Sequence, residues 1–549
     1  MKQYKLLSLL AGVSLMAFTS CDLEEMPTTD IGFDNNEETV VNGANIQNFE
    51  NGLYSAFRAT QYGTFSEVPE LMCDGFNETI NSGNYFGPVH RTDDSFTSSN
   101  QDVESIWGSY YSAIVNYNNV INNDYVNEQE AAFMVEDADY TQVDAYAIRA
   151  LGVAHFFRAY TYMQLARLFA KDYEPSTAAT DLCVPLVLEY NQEEKPARAT
   201  VEAVYGQIKK DLDAADQYFM KLYEAAAQLS QANQLTQSYY DCYNTILPSG
   251  PGSESVTLDA IYALYARYYL DTHNYPEAAT YAMKLISGGI TGKTGYALAE
   301  GAKGMQQEYT YDQGTEPIFQ MAASLAENGS GTNDAYLQGY ANGASSYYLD
   351  PWYIPSAKLL NAYEDQDLRL LTWFSRNEPV LWEGWLITRT INIFTKYYGN
   401  PELNNSIVPN GRQHVKPFMI GEMYLIAAEA SLQAGDPTTA ATKLNELQTM
   451  RGATPTAATM ENIQNEWFKE TVGEGLRFSC LKRWHIGYNG RPARDYSVQL
   501  PTGKTLSGYT PAGTDRTQKN MPADDPNWLL PIPSYDIQLN DNLVQNPGY

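Results

Sequence analysis

Apolar residues recur along much of the chain at the spacing of amphipathic helices. Residues 48–59, 103–122 and 144–169 each carry apolar side chains three or four positions apart. The third segment is apolar on nearly every face, and a helix of that composition is buried between other helices. The pattern therefore predicts a mainly α-helical protein, with Trp107 in helix packing.

Two segments have the pattern of tetratricopeptide-like helix pairs. In one, residues 258–270 are followed by 279–286; in the other, residues 420–434 are followed by 438–450. Each connection contains a proline suited to the start of a second helix. The period is not continuous between the two, so we predict a helix-pair scaffold with long insertions.

Loop-rich segments separate these helices, and they are dense in Gly, Asn, Ser, Thr and Pro. Loops of this length within one folded unit are usually functional. They cover residues 62–102, 288–350, 376–415 and 488–527.

The start of the chain is typical of a signal peptide at residues 1–20. Lys2 and Lys5 precede an apolar run at residues 6–18, and Cys21 follows it. At ~1.5 Å rise per residue, the run is too short to cross a ~30 Å hydrocarbon core. Because residues 18–21 resemble a lipobox, we predict lipidation at Cys21 and a tether over residues 21–45. The alternative is an ordinary secretory signal with a coincidental cysteine.

The charge balance excludes some partners. The chain has 66 acidic and 35 basic residues, for a net charge of −31. Such a surface repels nucleic-acid phosphates and anionic lipid, which leaves the acyl chain as the membrane attachment. Besides Cys21 there are four distant cysteines without a CxxC spacing, and either free thiols or disulfides fit them.

Recognised catalytic motifs are missing from the sequence. The five histidines form no HExxH pair, and there is no GxSxG, Walker loop or GxGxxG after a strand. Neighbouring acidic pairs are expected by chance among 66 acidic residues. We therefore predict no catalytic residue, no cofactor and no metal site.

Tyrosine is unusually frequent, with 43 Tyr against 19 Phe and 8 Trp. Tyrosine has an apolar face and a polar tip, which suits the stacking of sugar rings. Most of these residues serve ordinary packing. Loops that combine aromatic and polar residues are therefore the places to search for ligand contacts.

Motifs in the last third of the chain carry a family resemblance. Gly473 to Arg477 read GEGLR, Lys482 to Trp484 read KRW, residues 531–533 read PIP, and the chain ends QNPGY at residues 545–549. Together with the lipobox and residues 421–430, they resemble the SusD/RagB family of nutrient-binding outer-membrane lipoproteins over essentially the whole chain. Arg477, Arg483 and Glu422 are expected to form buried ion pairs rather than to bind ligand.

The resemblance implies one SusD-like α-helical domain over residues 46–549. Its scaffold of four helix pairs would pack against a TonB-dependent outer-membrane barrel. Its opposite, loop-built face would hold a glycan, or less often a peptide. Asp22, Glu24 and Glu25, directly after Cys21, resemble the surface-export signal of lipoproteins in the Bacteroidetes lineage. An ordinary solvated tether is the alternative.

No family motif transfers the ligand contacts, so loop position and composition select them. The stretches 73–94 and 334–353, together with the tryptophans at 373–385, combine aromatic with polar residues. The predicted substrate-binding residues are Asp74, Asn77, Tyr85, Phe86, Arg91, Tyr340, Tyr347 and Trp382.

The sequence therefore predicts a surface lipoprotein that binds a nutrient, most often a glycan, and passes it to a TonB-dependent transporter. One alternative is a lipid-anchored glycoside hydrolase, which would release sugar from glycans. Another is a helical scaffold lipoprotein, which would bind a protein other than a transporter and no small ligand.

Overall fold

The structure is a computed structural model. It describes residues 41–79, 84–191, 193–325, 334–382, 385–387, 391–491, 497–499, 505–507 and 519–549. The predicted signal peptide, the lipidation site at Cys21 and nearly all of the tether lie outside these residues.

Helices dominate the described chain, as predicted. They are α1 Ile46–Arg58, α2 Thr64–Leu71, α3 Gly87–Arg91, α4 Gln101–Ile121, α5 Asp124–Met134, α6 Ala145–Phe169, α7 Val201–Gln231, α8 Gln237–Ile246, α9 Leu258–Asp271, α10 Tyr275–Ile286, α11 Gly301–Thr310, α12 Asp334–Leu337, α13 Ala357–Asn361, α14 Leu368–Thr372, α15 Ile420–Gln433, α16 Pro437–Met450, α17 Met460–Glu470, α18 Arg477–Arg483 and α19 Ser534–Leu539. Among the described residues, no helix combines the length and apolarity needed to cross a bilayer.

The long helices pack side by side in one array. Contacts run from α4 to α6, then to α7, α9, α10, α15 and α16. Helix α6 lies inside this array and is buried along almost its whole length, which confirms the prediction from its all-round apolar sequence. Both predicted helix pairs are present as α9 with α10 and α15 with α16.

Side-chain caps fix where several of these helices begin. The Asp144 carboxylate accepts a hydrogen bond from the Tyr146 amide at the start of α6, and the Thr200 hydroxyl accepts one from the Ala203 amide in α7. Such caps satisfy amides that have no partner within the helix. At 31 residues, α7 is longer than any helix that the periodicity predicts.

Strands are short and lie mostly in the predicted loop-rich segments. They are β1 Phe76–Glu78, β2 Pro317–Met321, β3 Gly339–Ala341, β4 Tyr347–Leu349, β5 Tyr353–Pro355, β6 Phe374–Ser375, β7 Val380–Trp382, β8 Trp385–Ile387, β9 Ile393–Phe394, β10 Val415–Met419, β11 Tyr488–Arg491, β12 Ser497–Gln499, β13 Thr505–Ser507 and β14 Lys519–Met521. One four-stranded sheet has the order β3-β4-β7-β8, and two-stranded ladders join β1 to β5 and β2 to β10.

A buried cluster of charges joins the C-terminal helices to the rest of the core. The Arg451 guanidinium donates to both carboxylate oxygens of Glu316 at 2.8 Å, and it also contacts Glu470. Arg369 reaches Glu470 at 2.9 Å. Burial alone would raise the pKa of Glu470, but the two guanidinium groups outweigh it and lower the pKa to about 2.

The family-motif residues form buried ion pairs, as predicted. Arg267 on α9 donates to both oxygens of Glu422 on α15 at 2.6 Å, and Arg483 pairs with Glu429. These pairs link helices that are distant in sequence, so the motifs hold the scaffold together. Trp107 is also buried, edge-on to Phe169 at 4.9 Å, which confirms its assignment to packing.

The four cysteines after Cys21 are free thiols inside the fold. Burial raises the pKa of each thiol, for example that of Cys480 to about 11. Of the two alternatives left by their spacing, the structure therefore favours buried thiols over disulfides. They are Cys73, Cys183, Cys242 and Cys480.

Candidate functional site

The pairing of β1 with β5 brings two of the predicted loop regions together. Glu78 lies opposite Tyr353, and the Thr79 amide donates to the Trp352 carbonyl at 2.8 Å. The Tyr353 hydroxyl donates to the Tyr85 carbonyl at 2.8 Å. The stretches 73–94 and 334–353 therefore form one surface, although the 239 residues 95–333 separate them in the chain.

An aromatic pair stands on this surface. The rings of Tyr85 and Trp352 lie 4.2 Å apart and are tilted by 49°. Tyr85 is 47% exposed, and Trp352 is half-buried against the core. An exposed aromatic face of this kind offers an apolar platform for the C–H face of a sugar ring.

A left-handed turn positions Tyr85. Asn84 and Phe86, the residues on either side, have φ values of 69° and 55°. This conformation is uncommon for residues other than glycine and persists where surrounding contacts hold it. Phe86 is buried at 3% exposure with its ring 4.6 Å from that of Tyr85. It therefore supports the exposed ring from beneath.

Arg91 lies beside this pair and is already engaged with its neighbours. Its guanidinium donates to Glu78 at 3.0 Å, to Asp93 at 2.9 Å and to Asn84 at 2.7 Å. One fifth of the side chain is exposed. The three partners hold the guanidinium in place, so it forms a fixed polar rim on the aromatic surface.

A second aromatic pair stands on the adjoining sheet. Tyr340 of β3 lies opposite Tyr348 of β4, with the ring centroids 5.7 Å apart, and Tyr340 is 46% exposed. Only three residues, Asp350 to Trp352, separate β4 from β5. The sheet therefore continues directly into β5, whose Tyr353 contacts the Tyr85 turn.

Tyr347 does not lie on the same face of the sheet as Tyr340. Successive side chains of a strand point to opposite faces, and Tyr347 lies opposite Ala341 rather than Tyr340. Its hydroxyl contacts the Tyr398 hydroxyl at 2.6 Å and donates to Glu378 at 2.9 Å. The structure therefore separates two tyrosines that the sequence analysis grouped together.

Three predicted contact residues are enclosed by the fold. Asp74 is fully buried and pairs with Arg477 at 3.0 Å and with Lys358. Asn77 is 1% exposed in β1, and Phe86 supports Tyr85. Side chains without exposed surface do not reach a ligand bound outside, so their positions assign them to the support of the site. The side chain of Trp382 lies outside the described residues; its backbone pairs with Trp385 in a hairpin.

The list of predicted contact residues leaves out Tyr348 and Trp352, although both lie in the candidate stretch 334–353. Residues 342–343 are an Asn-Gly turn signal, but a two-residue turn there would place residue 345 across from Tyr340. The observed hairpin has a five-residue loop, residues 342–346, and pairs Tyr340 with Tyr348 instead. Composition marked Trp352 as one aromatic residue of this stretch, but its place in the site depends on the pairing with residues 76–79, far away in the chain.

A possible metal cluster lies elsewhere, in the helical scaffold. Asp172, Glu174 and His273 place one ligand atom each within 4.8 Å of one another. Burial raises the pKa of Asp172, and the nearby Lys482 ammonium only partly offsets it. The same ammonium repels a cation, so this cluster does not form part of the candidate site.

Comparison with known proteins agrees with the fold. A family model described as "SusD family" matches residues 375–549, and a second, described as "Starch-binding associating with outer membrane", matches residues 25–247. The chain belongs to the SusD/RagB family. The two SusD-type matches include the motifs of the C-terminal third as well as the Tyr85 turn.

Solved SusD-type structures share this architecture. A SusD superfamily protein from Bacteroides thetaiotaomicron aligns with a TM-score of 0.66 at 21% identity, over 92% of this chain and 100% of that one. A putative sugar-binding protein from Bacteroides vulgatus gives 0.66 at 23% identity, over 92% and 98%. Surface glycan-binding protein A from Bacteroides fluxus gives 0.61 at 18% identity, over 93% and 100%. None of the curated proteins matches the chain in sequence.

Proposed function

We propose that the protein is a cell-surface lipoprotein that binds a glycan at the Tyr85–Trp352 pair and delivers it to a TonB-dependent outer-membrane transporter. The observation that carries the proposal is the exposed aromatic pair with the fixed Arg91 rim. Aromatic faces stack on sugar rings, while hydroxyl groups of the sugar need hydrogen-bond partners such as this rim. Tyr340 and Tyr348 extend the same platform.

The family adds support for the class of ligand. One matching family model describes starch binding in association with the outer membrane, and two similar structures are named as sugar-binding or glycan-binding proteins. Binding without chemistry is the simplest activity for such a platform, because stacked rings hold a ligand and supply neither an acid nor a nucleophile.

A glycan array tests the binding step. The mature protein should bind one class of glycan, and Tyr85→Ala should weaken that binding. Tyr240→Ala is a matched control, because Tyr240 is 53% exposed on α8 in the helical scaffold. Prolonged incubation should leave the bound glycan intact. Released sugar would instead support a glycoside hydrolase.

Attachment and delivery need a separate experiment in cells. Cys21→Ser should release the protein from the outer membrane, because acyl chains are the expected attachment. The lipidated protein, purified in mild detergent from outer membranes, should bring a TonB-dependent barrel with it. Recovery of a different protein partner, together with no glycan binding, would favour the helical scaffold lipoprotein.

A further inference from the structure

A cavity of about 100 Å³ lies apart from the aromatic surface. It lies where α4, α6, α9 and α11 meet β10 and the turn after α17, and it is partly open to solvent; neither aromatic pair of the surface lines it. The interior has room for about three water molecules, and because its mouth is open a ring-shaped solute can enter it part of the way. Partly exposed residues such as Gln61 and Tyr62 line its outer part and provide a route from solvent.

Tyrosine rings form much of its wall. Tyr110, Tyr160 and Tyr309 line it and are at most 5% exposed. Phe65 adds a ring that meets Tyr110 edge to face at 5.1 Å. The wall thus combines flat apolar faces with hydroxyl tips, a lining that fits a molecule with both an apolar face and polar edges.

A buried amide in this cavity lacks a protein partner for its oxygen. Gln413 is 4% exposed, and its Oε1 atom accepts no hydrogen bond from the described residues. Buried polar atoms are nearly always partnered. The Gln413 amide oxygen, two residues before β10, therefore lines space that a polar ligand or water must fill.

The charged groups around the cavity are already neutralised. The Glu474 carboxylate accepts from Lys396 at 2.7 Å, and Lys416 contacts Asp312 at 2.5 Å. Arg267 is held by Glu422. Since each charge has its own counter-ion within the fold, a charged ligand would find no partner and would lose its hydration. The lining therefore favours a neutral ligand.

We propose that this cavity is a second binding site, specific for one neutral sugar ring or a cyclic polyol of that size. Gln413 supplies the amide that hydrogen-bonds ring hydroxyls, and the hydroxyls of Tyr110 and Tyr309 supply further partners. The tyrosine faces contact the apolar side of the ring. The cavity and the Tyr85 surface share no residue, so an experiment can refute one binding site without refuting the other.

Calorimetric titration of the full mature protein tests the proposal. The probes are D-glucose, D-galactose, D-xylose and myo-inositol, with glucuronate and glucosamine as charged counterparts. At least one neutral probe should bind one to one, and the charged counterpart should bind at least tenfold more weakly. If no neutral probe gives a saturable signal, the cavity holds water only and the proposal is overturned.

Two substitutions locate the site. Gln413→Leu should reduce affinity for the neutral probe at least tenfold while leaving the unfolding midpoint unchanged or higher, because the amide oxygen has no partner to lose. Tyr309→Phe removes only a hydroxyl and should act in the same direction. Tyr85→Ala is the control and should leave monosaccharide binding unchanged. Weakened binding in Tyr85→Ala with unaltered binding in Gln413→Leu would place the monosaccharide on the surface and overturn the proposal.

Discussion

Asp74 provides a sharp test of which predicted residues support the site and which form it. Its carboxylate accepts two hydrogen bonds from Arg477, at 3.0 and 3.1 Å, and contacts Lys358. Burial would raise the pKa of Asp74, but these two cations lower it from 3.8 to about 2. The substitution Asp74→Asn keeps the shape of the side chain and removes its charge.

The expected loss of stability comes from the Arg477 charge, which Asp74→Asn leaves without its partner. The Arg477 side chain is 9% exposed and would remain buried without a counter-ion. Removing one partner of a buried pair typically costs about 3–5 kcal/mol. The lowered pKa gives a consistent figure: a shift of nearly two units corresponds to about 2 kcal/mol at neutral pH. Because the folded-state pKa lies below the unfolded one, this contribution is present above pH ~4 and is lost as the pH falls towards 2.

Urea unfolding at pH 7, followed by tryptophan fluorescence, measures this loss. Asp74→Asn should lower the free energy of unfolding by about 3 kcal/mol or more at an unchanged denaturant slope. Lys358→Ala is the control: its side chain is 42% exposed, and Asp74 keeps Arg477 as its counter-ion, so the loss should be clearly smaller than for Asp74→Asn. Asp74→Asn should also leave glycan affinity unaltered. A variant that is as stable as the wild type but binds glycan weakly would refute the reasoning and make Asp74 a ligand contact.

Two further predictions concern the pH dependence of stability and the two faces of the β3–β4 sheet. Burial raises the pKa of Glu70 from 4.5 to about 7, so the folded state binds the carboxyl proton of Glu70 more tightly than the unfolded state does. Between pH ~4.5 and ~7 the group therefore lowers stability by about 3 kcal/mol as the pH rises. Urea titrations should show a smaller fall in the free energy of unfolding from pH 5 to pH 8 for Glu70→Gln than for the wild type. Equal falls in the two proteins would contradict this prediction. Tyr340→Ala should weaken glycan binding several-fold in calorimetry, whereas Tyr347→Phe, on the other face, should leave it unchanged. Weaker binding in Tyr347→Phe with unchanged binding in Tyr340→Ala would mean that the ligand binds the face of the sheet that carries Tyr347.

Local sequence patterns were sufficient for most of the helical scaffold. Helices α4, α6, α9, α10, α15 and α16 begin and end within a few residues of the predicted limits. Their apolar spacing and their prolines are local signals, and burial of one face stabilises the helix that carries it. The sequence motifs indicated the family, and the way in which the helix pairs assemble was expected from the family rather than from local patterns.

The candidate site was harder to predict because its geometry depends on distant pairing. Composition pointed to the stretches 73–94 and 334–353, which the structure brings together, yet not to which side chains face outward. Asp74 has the composition of a ligand contact, but its partner Arg477 lies 403 residues away. Tyr340 and Tyr347 look equivalent in sequence and differ only through the strand register. No local pattern contains either fact.

The most direct test of the proposed function is calorimetric titration of the glycan that the array identifies into wild type, Tyr85→Ala and Tyr240→Ala. Tyr85 is 47% exposed, and covering that half of the ring is worth about 1–1.5 kcal/mol, or roughly tenfold in affinity. The account predicts a loss of this size for Tyr85→Ala and none for Tyr240→Ala. Equal affinities for all three proteins would contradict it and place the glycan away from the Tyr85–Trp352 pair.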